Sequence, residues 1–334
     1  MTTCLVTGGA GFIGAHLTRR LADMGDEVVV LDDFSGGFRD NVDERARVVE
    51  GSILDHALVD ALFSDCKFDH VYHFAAYAAE GLSHFIKRFN YANNVIGSVN
   101  LINAAVNTDV KCFVFASSIA VYGVGQLPMR EDMRPEPEDS YGIAKYAVEC
   151  ELEATHRMFG LPYVIFRPHN VYGELQNIGD RYRNVLGIFV NQIMRDEPLS
   201  IFGDGEQTRA FSYVGDIVPA IASAPMVKAA HHEIFNIGAD TPYSVNDLAD
   251  TIRSAMGVPD HPVVHHPPRN EVMHAFSDHA KVRKVFGDGG STDLEAGIRA
   301  MVDWAKLHGP RESSKFDNIE IERNLPPSWR SGSS

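Results

Sequence analysis

Leu5-Val6-Thr7-Gly8-Gly9-Ala10-Gly11-Phe12-Ile13-Gly14 runs from an apolar strand through a glycine-rich turn into the start of a helix. Gly9, Gly11 and Gly14 satisfy GxGxxG, and Gly8, Gly11 and Gly14 give a GxxGxxG spacing in the same turn. Positions without side chains let the backbone approach a diphosphate, which then meets the unpaired N–H groups of Phe12 and Ile13 at the positive end of the helix. A glycine pattern alone also marks many plain turns, so its context carries the reading.

That context is a second apolar strand ending in Leu31-Asp32-Asp33. Asp32 lies 18 residues after Gly14, where a carboxylate accepts hydrogen bonds from an adenosine ribose. Asp32 and Asp33 would repel a 2′-phosphate, and no arginine follows until Arg39, so NAD is the expected cofactor rather than NADP. Further apolar runs at residues 48–49, 71–74, 113–117 and 163–167 alternate with helical patterns. Short strands separated by helices imply right-handed crossovers and a parallel sheet covered on both faces, an α/β doubly wound Rossmann fold.

After Pro168 the rhythm turns loop-rich, with Gly173, Gly179, Gly187 and the turn Gly203-Asp204-Gly205. Residues 1–168 are expected to form the NAD-binding domain and 169–334 a smaller mixed α/β domain, with 214–240 returning to the first. The end of the chain is polar, with Pro326-Pro327, and its tip is expected to be mobile.

The formal net charge of −15 argues against nucleic-acid affinity, because phosphate backbones recruit basic faces. No apolar run is long enough to span a bilayer and no leader pattern opens the chain, so a cytoplasmic enzyme is expected. Cys4, Cys66, Cys112 and Cys150 are widely separated and make no CxxC, and His261, His265 and His266 lack metal-ligand spacing, so neither disulfide nor metal is assigned.

Tyr141-Gly142-Ile143-Ala144-Lys145 is YxxxK, preceded by the helix-start signals Asp139 and Ser140. A spacing of four puts both side chains on one helical face. An ammonium near a phenol favours phenolate, which would fit Tyr141 to act as a general base. The third candidate, Ser118, follows the strand Phe113-Val114-Phe115-Ala116-Ser117, and parallel sheets place their ligands at strand C-termini. Each signal is common by itself; their combination is not.

Together TGGAGFIG, LDDFSGG, VYHFAA, YANNV, FASSIAVYG, YGIAK, RPHNVYG and IFGDGEQTRAF resemble the NDP-sugar epimerases and dehydratases of the extended short-chain dehydrogenase/reductase family, closest in motif to UDP-glucose 4-epimerases. The resemblance covers nearly the whole chain. It implies that Asp32, Asp33, Phe34, Ser52 and Ile53 surround the adenosine, that Phe74, Ala75 and Ala76 form a cofactor wall, and that Asn94 touches the nicotinamide side. Ala116, Ser117 and Pro168 complete the expected cofactor site. Asn170, Asn184 and Arg209 would meet the nucleotide sugar, with Arg209 on its diphosphate, and Arg269 in Pro268-Arg269-Asn270-Glu271-Val272 would be a second diphosphate ligand. Ser52 stands where an aspartate commonly meets adenine, Ala78 where a cofactor-binding lysine is frequent, and Ala210 where aspartate commonly follows the arginine.

In related 4,6-dehydratases Asp-Glu follows the strand hydroxyl residue, and related decarboxylases carry a glutamate beside the serine; here the positions read Ser118-Ile119. C4 epimerisation through a transient 4-keto sugar is therefore the expected reaction, with dehydratase, decarboxylase, 4-keto reductase or a non-catalytic NAD-binding regulator as alternatives. By the same resemblance Ala275 would occupy the position that controls room beside the sugar C2 substituent, and Arg181 and Arg183 add positive charge that would suit a uronate or a phosphate, whereas Lys87-Arg88 is expected first as a solvated helix face. The family also implies a homodimer built from helices around residues 93–107 and 141–158.

Overall fold

The computed structural model describes residues 2–125, 127–268, 272–312, 316–326 and 329. Seven parallel strands form its central sheet: β1 (Thr3–Thr7), β2 (Glu27–Asp32), β3 (Arg47–Glu50), β4 (His70–His73), β5 (Cys112–Ala116), β6 (Tyr163–Pro168) and a last strand, Glu233–Ile237. Their spatial order is β3-β2-β1-β4-β5-β6 followed by Glu233–Ile237. The order reverses between β1 and β4, and ligands of doubly wound sheets bind at that switch point, outside the strand C-termini.

The helix α1 (Phe12–Asp23) buries Gly14, Ala15, Leu17, Thr18 and Leu21, a stripe at the 3.6-residue period that faces the sheet. Helix Ser140–Phe159 begins where the Asp139 side chain accepts the Gly142 N–H at 2.8 Å and ends at Gly160, whose φ of 79° few other residues adopt. These two helices lie on opposite faces of the sheet, and each face has its own apolar core, around Val6, Leu17 and Val30 on one side and Leu5, Phe113 and Leu152 on the other.

Among the described residues the remaining strands make three small sheets: Val171–Tyr172 with Ser212–Tyr213, Leu199–Phe202 with Val263–His266, and Thr208–Ala210 between Pro242–Ser244 and His274–Ala275. They pack with helices Val185–Met194, Val245–Met256 and Leu294–His308 around a third core containing Phe189, Leu248 and Met301. Among the described residues no helix is long and apolar enough to cross a membrane. Burial pushes the Cys112 thiol up to about 12, as suits a core side chain, whereas Cys150 is exposed.

Candidate active site

A cleft of about 2090 Å³ opens over the C-terminal ends of β1, β2, β4 and β5 and extends between the sheet and the smaller layer. Its floor is the glycine turn. Gly8 has φ +72°, and a Cβ there would stand 2.7 Å from the Ala75 nitrogen. A Cβ on Gly14 would be 2.2 Å from the Gly8 carbonyl oxygen, so only glycine lets α1 start this close to the turn. No side chain caps α1 and no acid stands in its first turn, which leaves its positive end open to an anion in the cleft.

Asp32 closes this floor. Its Oδ2 accepts the Ala10 N–H at 2.9 Å and its Oδ1 the Phe34 N–H at 2.8 Å, so the carboxylate is fixed at the cleft edge with lone pairs to spare for a diol. Burial raises its pKa, against the Phe34, Ala10 and Gly11 N–H groups that lower it. Asp33 lines the cleft too, but one oxygen accepts both the Ser35 N–H and hydroxyl. An open helix end, a glycine cradle and a ribose-directed carboxylate fit a dinucleotide without a 2′-phosphate.

At the other end of the cleft stands Tyr141, with Ser118 in hydrogen-bonding reach of its phenol. Burial pushes the phenol well above its ordinary range and Glu80 adds to that, while Ser118 and the Arg183 guanidinium pull the other way. Lys145 Nζ donates to the Ala116 carbonyl at 2.7 Å and lies 5.7 Å from the centre of the Tyr141 ring. Burial lowers its pKa to about 7, with Glu149 opposing the shift. The sequence led to the expectation that Lys145 draws the phenol down; among the protein's own groups, burial prevails.

One turn beyond Lys145, Glu149 receives the Ser117 hydroxyl and two bonds from Arg167, at 2.9 and 2.5 Å. Glu149 lies in none of the quoted motifs, and Arg167, which opens RPHNVYG, was given no role there, although residues 141, 145 and 149 share one helical face. A second buried group missed in the sequence is His73. Ser98 donates to the Asn94 carbonyl at 2.9 Å and must accept from His73 Nε2 at 2.8 Å, so Thr7 donates to His73 Nδ1 at 2.8 Å. This neutral imidazole, pushed down to about 3 by burial, ties the ends of β1 and β4 together at the switch point.

Gly8, Gly11, Phe12, Ile13, Gly14, Ile53, Phe74, Ala75, Ala76, Ala116, Ser117 and Pro168 all line the cleft. Three further expected cofactor contacts, Phe34, Ser52 and Asn94, are engaged with neighbouring protein groups. Phe34 takes a left-handed backbone that places its ring beneath Arg39, 4.1 Å from the guanidinium carbon. Ser52 accepts the Leu54 N–H at 3.3 Å. Asn94 is buried, bonded to both backbone groups of Tyr77 at 3.0 and 3.2 Å and to Asn90 at 2.8 Å, so it holds the wall rather than facing through it.

On the substrate side Asn170, Asn184 and Arg209 reach the same cleft. Asn184 caps helix Val185–Met194 by accepting the Leu186 N–H at 3.1 Å, and its amide donates to the Val171 carbonyl at 2.7 Å, so its first task is structural. Arg209 donates to the carbonyls of Thr208, Met273 and Val272 at 2.8, 3.0 and 2.5 Å, which fixes its fork at the mouth. Arg269 lies outside the described residues. Lys87 lines the cleft, whereas Arg88 turns outward to Glu320. The segment following Phe316 also contributes: Phe316 packs on Phe89 and Tyr77 at 4.9 and 5.4 Å, and Ile321, Arg323 and Trp329 reach the cleft.

The NAD dependent epimerase/dehydratase family model matches residues 4–238. A putative UDP-glucose 4-epimerase of Methanocaldococcus jannaschii is 35% identical over 305 residues, 90% of this chain and 98% of that protein. The UDP-glucose 4-epimerase of Thermotoga maritima, solved with UDP-glucose, superposes with a TM-score of 0.85 at 33% identity, over 92% of this chain and 99% of that one. The UDP-glucuronic acid 4-epimerase of Bacillus cereus, solved with UDP-glucuronic acid and NAD, gives 0.84 at 29% identity over the same shares.

Proposed function

The chain belongs to the NAD-dependent epimerase/dehydratase family, and from that premise we propose that it inverts C4 of a UDP-linked hexose, N-acetylhexosamine or uronate. The observation that carries the reading is that the Tyr141 phenol, the glycine turn, Asp32 and Arg209 all open on one cleft. Its volume of about 2090 Å³ is roughly twice what one small ligand occupies, which suits a dinucleotide and a nucleotide sugar together.

In this reading the turn and Asp32 hold the dinucleotide, and Arg209 holds the sugar nucleotide's diphosphate. When bound, NAD supplies the hydride acceptor and donor for C4 and a positive charge beside the phenol. Tyr141 takes the proton from the 4-hydroxyl and later returns it, and Ser118 holds that hydroxyl and shares the proton. Lys145, fixed on the Ala116 carbonyl, biases the phenol towards its base form when protonated. Because the 4-keto sugar must present its other face before reduction, the roomy cleft is part of the mechanism. The carboxylates lining the cleft near Tyr141, Glu80, Glu138 and Asp139, come from segments other than Ser118-Ile119, where the dehydratase acids would stand.

UDP-, GDP-, CDP- and dTDP-sugars offered to the purified protein and read by NMR test the proposal. Inversion at C4 without added reductant, with NAD(H) released on denaturation, is expected; stoichiometric consumption of external NADH would overturn it. The same reading includes a homodimer through the helices at 93–107 and 141–158, supported by the apolar surface of Ile96, Met158 and Phe159, and checked by light scattering.

A further inference from the structure

We propose that Arg183 clamps the diphosphate of the bound dinucleotide, closing the cofactor half of the cleft from the substrate-binding layer. The inference rests on the NAD reading above and adds a cofactor ligand that the glycine turn and Asp32 do not supply.

A dinucleotide diphosphate carries two negative charges, and an open helix end offers about half a positive one. The turn from Leu5 to Gly14 contains no cation. Of the cations near the cleft, Lys145 is committed to the Ala116 carbonyl, and Arg209 is anchored on the carbonyls of residues 272 and 273. Arg183 reaches the cofactor side. Its Nη2 lies 3.2 Å from where a Cβ on Gly36 would stand, and a Cβ on the next residue, Gly37, would stand 2.8 Å from the nitrogen of Gly11, the N-cap residue of α1. The guanidinium therefore sits one residue from the phosphate turn, although its backbone belongs to the loop before helix Val185–Met194. A side chain at position 36 would push against it.

The arginine is held in this pose from two sides. Asp180 faces its Nε at 3.0 Å while accepting the Tyr182 N–H at 2.9 Å, so the acid is itself pinned and orients one edge of the fork. Nε is buried without an aligned hydrogen bond, which leaves the pair an ionic contact rather than a bidentate one. Below, the Tyr77 ring lies 5.1 Å from the guanidinium carbon, within cation–π range, and Asn94 fixes Tyr77 through its backbone. A planar, permanently charged fork with its stem immobilised suits a diphosphate. The same charge acts on the Tyr141 phenol and lowers its pKa.

The test compares wild type with Arg183→Ala and Arg183→Lys as purified holoenzymes, following replacement of bound NAD by excess isotope-labelled NAD. The alanine variant is expected to release NAD roughly 10- to 100-fold faster, the range of one charge-assisted hydrogen bond or two, with lysine intermediate. ADP-ribose, which keeps the diphosphate, should raise the melting temperature of the variant less than that of wild type, whereas adenosine should act alike on both. Arg183→Gln gives the same comparison should the alanine variant fail to fold. Unchanged NAD release, or a loss of UDP affinity in place of NAD retention, overturns the clamp. A wild-type protein that neither retains NAD nor is stabilised by it overturns the NAD reading itself.

Discussion

Arg167 grips Glu149 with two nitrogens, at 2.9 and 2.5 Å, in a pair whose side chains are only 2% and 3% exposed. The pair locks β6 to the helix that carries Tyr141 and Lys145, and the same carboxylate takes the Ser117 hydroxyl beside Ser118. Glu149→Gln leaves a buried guanidinium uncompensated, and removing one partner of such a pair costs about 3–5 kcal/mol. A clear fall in melting temperature is expected, and Arg167→Met combined with Glu149→Met should recover most of it. An unchanged melting temperature for Glu149→Gln would show that the pair does not stabilise the fold.

Lys145 acts through its charge, and its charge is poised near neutrality. With its pKa lowered to about 7 by burial, the ammonium is present at about pH 6 and largely gone at about pH 9. Lys145→Ala should therefore reduce kcat/KM on the order of 100-fold at the acidic end, a usual size for a proton-transfer contribution. The loss should shrink as pH rises and the wild-type side chain becomes neutral too. A ratio of wild type to variant that stays flat between these pH values would assign Lys145 to binding alone.

Tyr141→Phe removes the group proposed to take and return the sugar proton, leaves Ser118 in place, and leaves the glycine turn and Asp32 untouched. Turnover should drop by about 100- to 10,000-fold, while NAD released on denaturation stays at the wild-type amount. The two readouts together separate a lost proton carrier from a lost cofactor site. Undiminished turnover would end the proposed role of the phenol.

How much of this was legible in the sequence depended on whether the cause was local. The strand, glycine turn and helix at residues 3–23 could be read because three glycines and an apolar strand act within ten residues, and YxxxK could be read because one helical turn joins its ends. Glu149 continues that same face, yet an acid in a helix reads as solvated surface until the fold brings Arg167 against it from 18 residues away. Asn94 sits in a recognisable motif, but motif and register cannot tell a side chain in a wall from one just behind it. The polar composition of the last residues suggested a loose tip and hid Phe316, which packs on Phe89 and Tyr77, and Leu325, which is buried. Arg183 was visible only as charge, because its relation to Gly36 spans two layers of the fold.

Ala275 gives the sharpest handle on the choice of sugar. It lies on the short strand paired with Thr208–Ala210, so it neighbours Arg209, and it lines the cleft beside Ile119 and Met129. If residue 275 borders the sugar C2 substituent, as the family resemblance implies, a methyl there leaves space that a phenol would fill. Ala275→Tyr should therefore cut kcat/KM on a UDP-N-acetylhexosamine more than on the corresponding UDP-hexose, by a ratio of about 10 or greater. Ala275→Ser, which adds one oxygen, should leave the ratio near that of wild type. The two substrates compared in one assay check the prediction, and a parallel fall on both would show that residue 275 affects packing and not the room at C2.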